Sequence, residues 1–136
     1  MIRVMSYNIL FIERELDPNT GGVQRVTHIL GEGLVNKGFN TWYAFHDKKS
    51  DTNLISDERK LIYDINSTQQ VITEIFSCFI KNKNIDILFC QNVYTVKMCN
   101  VYKEIKRMHH VKIIACLHAN PDRTTNTTSS RLTPTY

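Results

Sequence analysis

Residues 67–90, STQQVITEIFSCFIKNKNIDILFC, carry the reading that decides the fold. Ser67-Thr68-Gln69-Gln70 has the pattern of a capping box, with Ser67 as N-cap and Gln70 at N3. Behind it Ile72, Ile75, Phe76, Phe79 and Ile80 recur on one side of a helical turn, the clearest amphipathic helix in the chain. Lys81 and Lys83 close that helix, where positive charge suits the carbonyl end. Ile85-Asp86-Ile87-Leu88-Phe89-Cys90 follows directly as a strand.

The same alternation extends in both directions. Upstream, Ile2 to Ile12 is rich in β-branched and aromatic residues and reads as a strand buried on both faces. After the turn Asp17-Pro18-Asn19-Thr20-Gly21-Gly22, residues Val23, Val26, Leu30 and Leu34 give a helix with one apolar face. Gly38 sits at the left-handed position just past its end, behind Lys37. Phe39 to Phe45 is a second strand, residues 46–59 a polar surface loop, and Leu61-Ile62-Tyr63 a short third strand. Downstream come a helix over Val93 to Met108 and a fifth strand over Val111 to Leu117. Strands alternating with helices specify an α/β protein: a Rossmann-like, doubly wound, mainly parallel sheet with helices on both faces. Right-handed crossovers put its strands in the order 3-2-1-4-5.

Residues 1–119 form that domain, and the character changes at Asn120. Residues 120–136 hold six threonines, two serines and one aliphatic side chain, which reads as a flexible tail. It would leave the fifth strand as an exposed edge unless a second chain or domain covers it, so the chain reads as incomplete.

Composition narrows the function classes. Of 136 residues, 42% are hydrophobic and 22% charged, the balance of a globular domain. Lysine and arginine number 17 against 13 acids, and this net charge of +4 is spread along the chain. So small an excess gives no footprint for nucleic acid. No stretch approaches the ~18 uninterrupted apolar residues of a membrane span. The start lacks a signal peptide's order, and a cytoplasmic location is expected. Cys78, Cys90, Cys99 and Cys116 have neither zinc-site nor disulfide-scaffold spacing and read as four small buried hydrophobes in a reducing compartment.

Ligands of open α/β sheets bind beyond the carboxyl ends of the strands, near the point where strand order reverses. Gly21 and Gly22 stand there, before a helix whose free N–H groups and dipole favour an anion such as phosphate, although two glycines also make a simple tight turn. Gly31 and Gly33 lie inside the helix and suit close helix–sheet packing. Neither a dinucleotide fingerprint nor a P-loop is present. Glu13, Glu15 and Asp17 read as a solvated loop rather than a metal-binding acidic pocket. His118 ends an apolar strand at the same edge, where an imidazole can move a proton or bond a loop carbonyl. His109-His110 reads as a polar turn, with little support for a metal.

Several of these stretches coincide with one family. Gly21-Gly22-Val23-Gln24-Arg25-Val26, then Leu30, then Leu34-Val35-Asn36-Lys37-Gly38-Phe39-Asn40-Thr41, resemble the start of family 4 glycosyltransferases of the GT-B fold. Lys83-Asn84-Ile85-Asp86-Ile87-Leu88 resembles that family's Lys-Pro-Asp approach to a central strand, with Asn84 for proline. Val111-Lys112-Ile113-Ile114-Ala115-Cys116-Leu117-His118 resembles its apolar strand ending in histidine. Phe39 stands where the family often has histidine. The resemblance covers residues 1 to about 119 and implies the N-terminal, acceptor-side domain of an enzyme that transfers a sugar from a nucleotide-sugar to a glycan or glycolipid, with retention and without a metal or other cofactor.

It further implies that Gly21 and Gly22 approach the donor diphosphate, that His118 is catalytic, and that Arg25 meets the acceptor or a phosphate. The family's donor-binding domain, with its paired glutamates, has no counterpart here, so this chain alone is expected to be inactive. Synthesis of cell-envelope polysaccharide, at the inner face of the membrane, is the family-level setting. The alternative is a stand-alone α/β binding or interaction module without catalysis, docking through the edge of strand 5. A receiver-like domain is disfavoured by Cys90 and His118, which stand where it needs an aspartate and a lysine.

Overall fold

The computed structural model describes residues 6–116. Among them, parallel strands β1 (Asn8–Ile12), β2 (Asn40–Phe45), β3 (Lys60–Ile62), β4 (Ile87–Gln91) and β5 (Lys112–Cys116) make one sheet ordered β3-β2-β1-β4-β5. The crossovers carry α1 (Gly22–Asn36), α2 (Gln69–Lys83) and α3 (Val96–Met108). This is the Rossmann-like order expected from the sequence. His118 and the tail at 120–136 lie outside the described residues.

Alternation along β1 divides the core. Leu10 and Ile12 join Ala44, Leu88 and Cys90 against Ile72, Phe76 and Ile80 of α2 and Met98, Val101 and Ile105 of α3. Ile9 and Phe11 face the other way, with Tyr43, Phe45, Leu16 and Ile55, and the half-buried Leu34 of α1 packs there. Helices therefore cover both faces, two on one and α1 on the other.

Several local expectations are corrected. The buried side of α1 is Gln24, Thr27 and Gly31, with half-buried Leu34 on the same side, whereas Val26 and Leu30 of the expected row are exposed. Val26 is 49% exposed and Ile29 65%. The reason lies in the sheet, whose aromatics Phe11, Tyr43 and Phe45 fill that side and, at Tyr43, leave no room for a side chain on Gly31. A Cβ on Gly31 would strike the Tyr43 hydroxyl, whereas one on Gly33 would meet nothing, so only Gly31 serves close packing.

The cap of α2 is Thr68, whose Oγ1 accepts from the N–H of Val71, one residue later than expected. The connection at 46–59 is not wholly a surface loop: Ile55 and Ser50 are buried in it. Of the cysteines, only Cys90 is buried, while Cys78 is exposed and all four are free thiols. Gly38 does take the left-handed position, with φ 96°, beyond α1.

Candidate functional site at the β1–β4 carboxyl edge

The chain leaves β1 and β4 toward opposite flanks of the sheet, the strand order that in open α/β sheets opens a ligand crevice beyond the carboxyl ends. Five segments meet near it: the β1–α1 loop, the start of α1, the loop after β2, and the ends of β4 and β5.

The start of α1 has the expected character. Gly21 is the N-cap in an extended conformation, with no side-chain cap bond, and the first turn holds no acid. Its N–H groups and the positive end of the helix dipole thus have no side-chain cap and no acid of the helix's own first turn to meet them. Space differs at the two glycines. A Cβ on Gly21 would come within 2.7 Å of Gln24 Oε1, whereas one on Gly22 would meet nothing within 4 Å. Arg25, one turn in, is exposed. Gly21 and Gly22 thus stand where β1 hands over to α1, with Arg25 exposed one turn into the helix.

The loop before α1 is fixed by its neighbour. The Arg14 carbonyl accepts from the N–H groups of His46 (3.3 Å) and Asp47 (3.0 Å). Ser50 Oγ accepts from Leu16 N at 2.9 Å, and the Ser50 carbonyl from Asp17 N at 2.8 Å. Asp17 Oδ1 then caps the Asn19 N–H at 2.9 Å, an Asx turn that leads into the glycines.

Glu13 is the residue the sequence reading missed. It was expected in a solvated loop, yet it is 1% exposed and its Oε1 has no hydrogen-bond partner. Burial, with the nearby Glu15 carboxylate adding to it, pushes its pKa up to about 9. Glu15 Oε1 in turn accepts from Gln24 Nε2, on the first turn of α1, at 3.4 Å. The period of β1 held the signal: the alternation that puts Ile9 and Phe11 under α1 carries on to position 13. His46, after β2, is held below the usual histidine range by burial and by Arg14, against the opposing pull of Asp47 and Glu15.

Across the crevice, Gln91 ends β4 and is 1% exposed. Asn92 follows with φ 58°, the left-handed turn that Asn tolerates. The Tyr94 hydroxyl lies 2.5 Å from the Cys90 carbonyl and 3.0 Å from that of Cys116, which ties the ends of β4 and β5 together. Burial pushes the Cys90 thiol up to about 12, far from a reactive thiolate.

Among the described residues, no three His, Cys, Asp or Glu side chains gather as metal ligands would. No helix there is long and apolar enough to cross a membrane.

No protein-family model matches the chain, and no curated protein matches it in sequence. Solved structures do. A glycosyltransferase from Rickettsia africae ESF-5 aligns with a TM-score of 0.58 and 18% identity, over 92% of this chain and 34% of that one. An alpha-glucosyltransferase in complex with UDP and a 13-mer DNA containing a HMU base aligns at 0.57 and 13%, over 90% and 33%. An alpha-glucosyltransferase in complex with UDP-glucose and DNA containing an abasic site aligns at 0.57 and 14%, over 90% and 32%. The chain spans about a third of the length of these structures, and what it shares with them is the fold.

Proposed function

We propose that this chain forms the acceptor-side domain of a sugar-transferring enzyme of the family 4 type, which moves a sugar from a nucleotide-sugar to a glycan or glycolipid with retention. One observation carries the reading: the glycine-rich, uncapped start of α1 opens on the β1–β4 crevice, in a fold similar to part of known glycosyltransferases.

In such a transfer the bond from the anomeric carbon to the diphosphate oxygen breaks. A bond to the acceptor hydroxyl oxygen forms, and that hydroxyl gives its proton to the departing diphosphate. Negative charge grows on the departing diphosphate. The N–H groups beyond Gly21 and Gly22 are assigned to stabilise it, with no side chain on either residue to hold the phosphate off. Arg25 adds a guanidinium on the phosphate or acceptor side. His118 is assigned to the pocket around the transferred sugar. The nucleoside end of the donor is assigned to a second domain and its diphosphate to the start of α1, so this chain alone is proposed to bind the diphosphate but to be inactive, working at the cytoplasmic side of the membrane.

The test is a titration of the chain with UDP, followed through backbone amide shifts. Movement centred on Gly21, Gly22 and the turn at Asn92 supports the reading. Shifts confined to other surfaces, or none at millimolar UDP, reject it.

One observation favours a second reading, an α/β interaction module without catalysis. Val26, Ile29 and Leu30 stand exposed along α1, an apolar ridge such as partner helices use. A defined oligomer in solution that dissociates on Ile29→Lys would favour this module.

A further inference from the structure

A buried acid that finds no partner destabilises a fold, and such groups collect where a ligand needs them. Glu13 is one: its Oε1 is unpartnered, its side chain is 1% exposed, and it follows the last residue of β1 at the crevice. It continues the face of β1 that carries Ile9 and Phe11 beneath α1, and its N–H bonds the Ala44 carbonyl at 2.9 Å, which extends the ladder to this residue. Glu15 links it to the helix start: Glu13 feels the charge of Glu15, and Glu15 is bonded to Gln24 in the first turn of α1.

Two carboxylates at the positive end of a helix would compete with any incoming anion. One carboxylate and one neutral carboxyl compete far less. We propose that a proton held on Glu13 keeps the Gly21–Gly22 end of α1 receptive to an anion, so that loss of this proton weakens anion binding there. This rests on the reading of that helix end as an anion site. Linkage makes the coupling reciprocal: a bound anion holds the proton on Glu13 more firmly.

Other charged groups face this cluster. Arg14 and Glu15 come from the same loop, and His46 and Asp47 from the loop after β2; Arg25 of α1 is exposed. Among them, Glu15 is the one that acts on Glu13 directly. Its burial sets Glu13 apart from the others, because a proton exchanged there changes charge where water screens least.

Inorganic sulfate is the probe, since its charge stays constant between neutral and alkaline pH. Its affinity is read from the Gly21 and Gly22 amide shifts at pH 7 and pH 9.5, in the unaltered chain and in Glu13→Gln. The expected result is a several-fold loss of affinity at pH 9.5 in the unaltered chain and less than a twofold change in Glu13→Gln. An equal loss in both, or none in either, overturns the inference while leaving the anion site standing. No response of Gly21 and Gly22 to sulfate at either pH overturns the anion-site reading and this inference with it. A second measurement needs no ligand: the side-chain carboxyl carbon of Glu13, followed by NMR, is expected to titrate above neutral pH, and lower in Glu15→Gln. Titration in the ordinary carboxylate range overturns the inference.

Discussion

The hydroxyl of Tyr43 on β2 donates to Glu32 Oε2 on α1 at 2.6 Å, passing over the bare Cα of Gly31. Arg59, just before β3, reaches the same carboxylate with both terminal nitrogens and gives its Nε to the Thr41 carbonyl at 3.0 Å. Helix α1 is thereby registered on the sheet by a half-buried polar clamp instead of an apolar stripe. That registration fixes where its N-terminus, and hence the proposed anion site, opens.

Gly31→Ala forces the Tyr43 ring aside at a residue that is 1% exposed. The expected loss of stability is about 1–3 kcal/mol, as for other overpacked interiors. Gly33→Ala meets open space, and there better helix propensity should stabilise by up to about 1 kcal/mol. Urea unfolding of the two variants side by side checks both signs.

The clamp has a pH signature. Burial alone would raise Glu32, but hydrogen bonds from Arg59 and Tyr43 outweigh it and hold the carboxyl below the usual range. A carboxylate depressed in the folded state contributes stability that is present above its unfolded value of 4.5 and is lost as pH falls through the folded one. Because the pair is partly exposed, the coupling expected from a Glu32→Gln, Arg59→Met double-mutant cycle is modest, about 1 kcal/mol at neutral pH, and smaller at pH 3. A cycle with no coupling at neutral pH would count against the clamp.

Glu13 has the opposite sign. Its folded pKa of about 9 lies above the ordinary 4.5, so the folded chain holds a proton that the unfolded chain releases. Stability attributable to this group is intact below pH 4.5 and falls as pH rises toward about 9, by at most about 1.4 kcal/mol per pH unit. Glu13→Gln should therefore be more stable than the unaltered chain at pH 8, with a gain that shrinks toward pH 5. Thermal unfolding at several pH values reads this directly. A variant less stable throughout would show that the carboxylate has a partner.

At the other side of the crevice, Tyr94→Phe removes the hydroxyl that ties β4 to β5. Loss of such a half-buried bond is expected to cost about 1–2 kcal/mol. Faster amide exchange should appear at Asn92, whose N–H bonds the Cys116 carbonyl at 3.4 Å, and not at β2.

The order of elements and the sheet topology were legible because hydrophobic period, capping and turn residues agree along the chain, as in Ile72 to Ile80 followed by Ile87 to Cys90. Gly21 and Gly22 were legible for the same reason: they stand between a strand and a helix. The face of α1 was legible only at Leu34, because Val26 and Leu30 share its helical period yet stand exposed. What buries Gln24, Thr27 and Gly31 instead is the bulk of Tyr43 and Phe45, supplied by a strand that follows. Glu13 was hidden by its neighbours Arg14, Glu15 and Asp17, whose polarity makes a loop of the segment although the pleat of β1 still governs position 13.

The central claim is that the start of α1 binds the diphosphate of a nucleotide. Gly22→Asp tests it most directly, since that position has open space for a side chain and an acid in the first turn suits the helix dipole. UDP affinity should be measured for the unaltered chain and the variant by the same titration, alongside their unfolding midpoints. The predicted result is a variant at least as stable that has lost UDP binding tenfold or more. A variant that folds as well and binds UDP equally would contradict the claim.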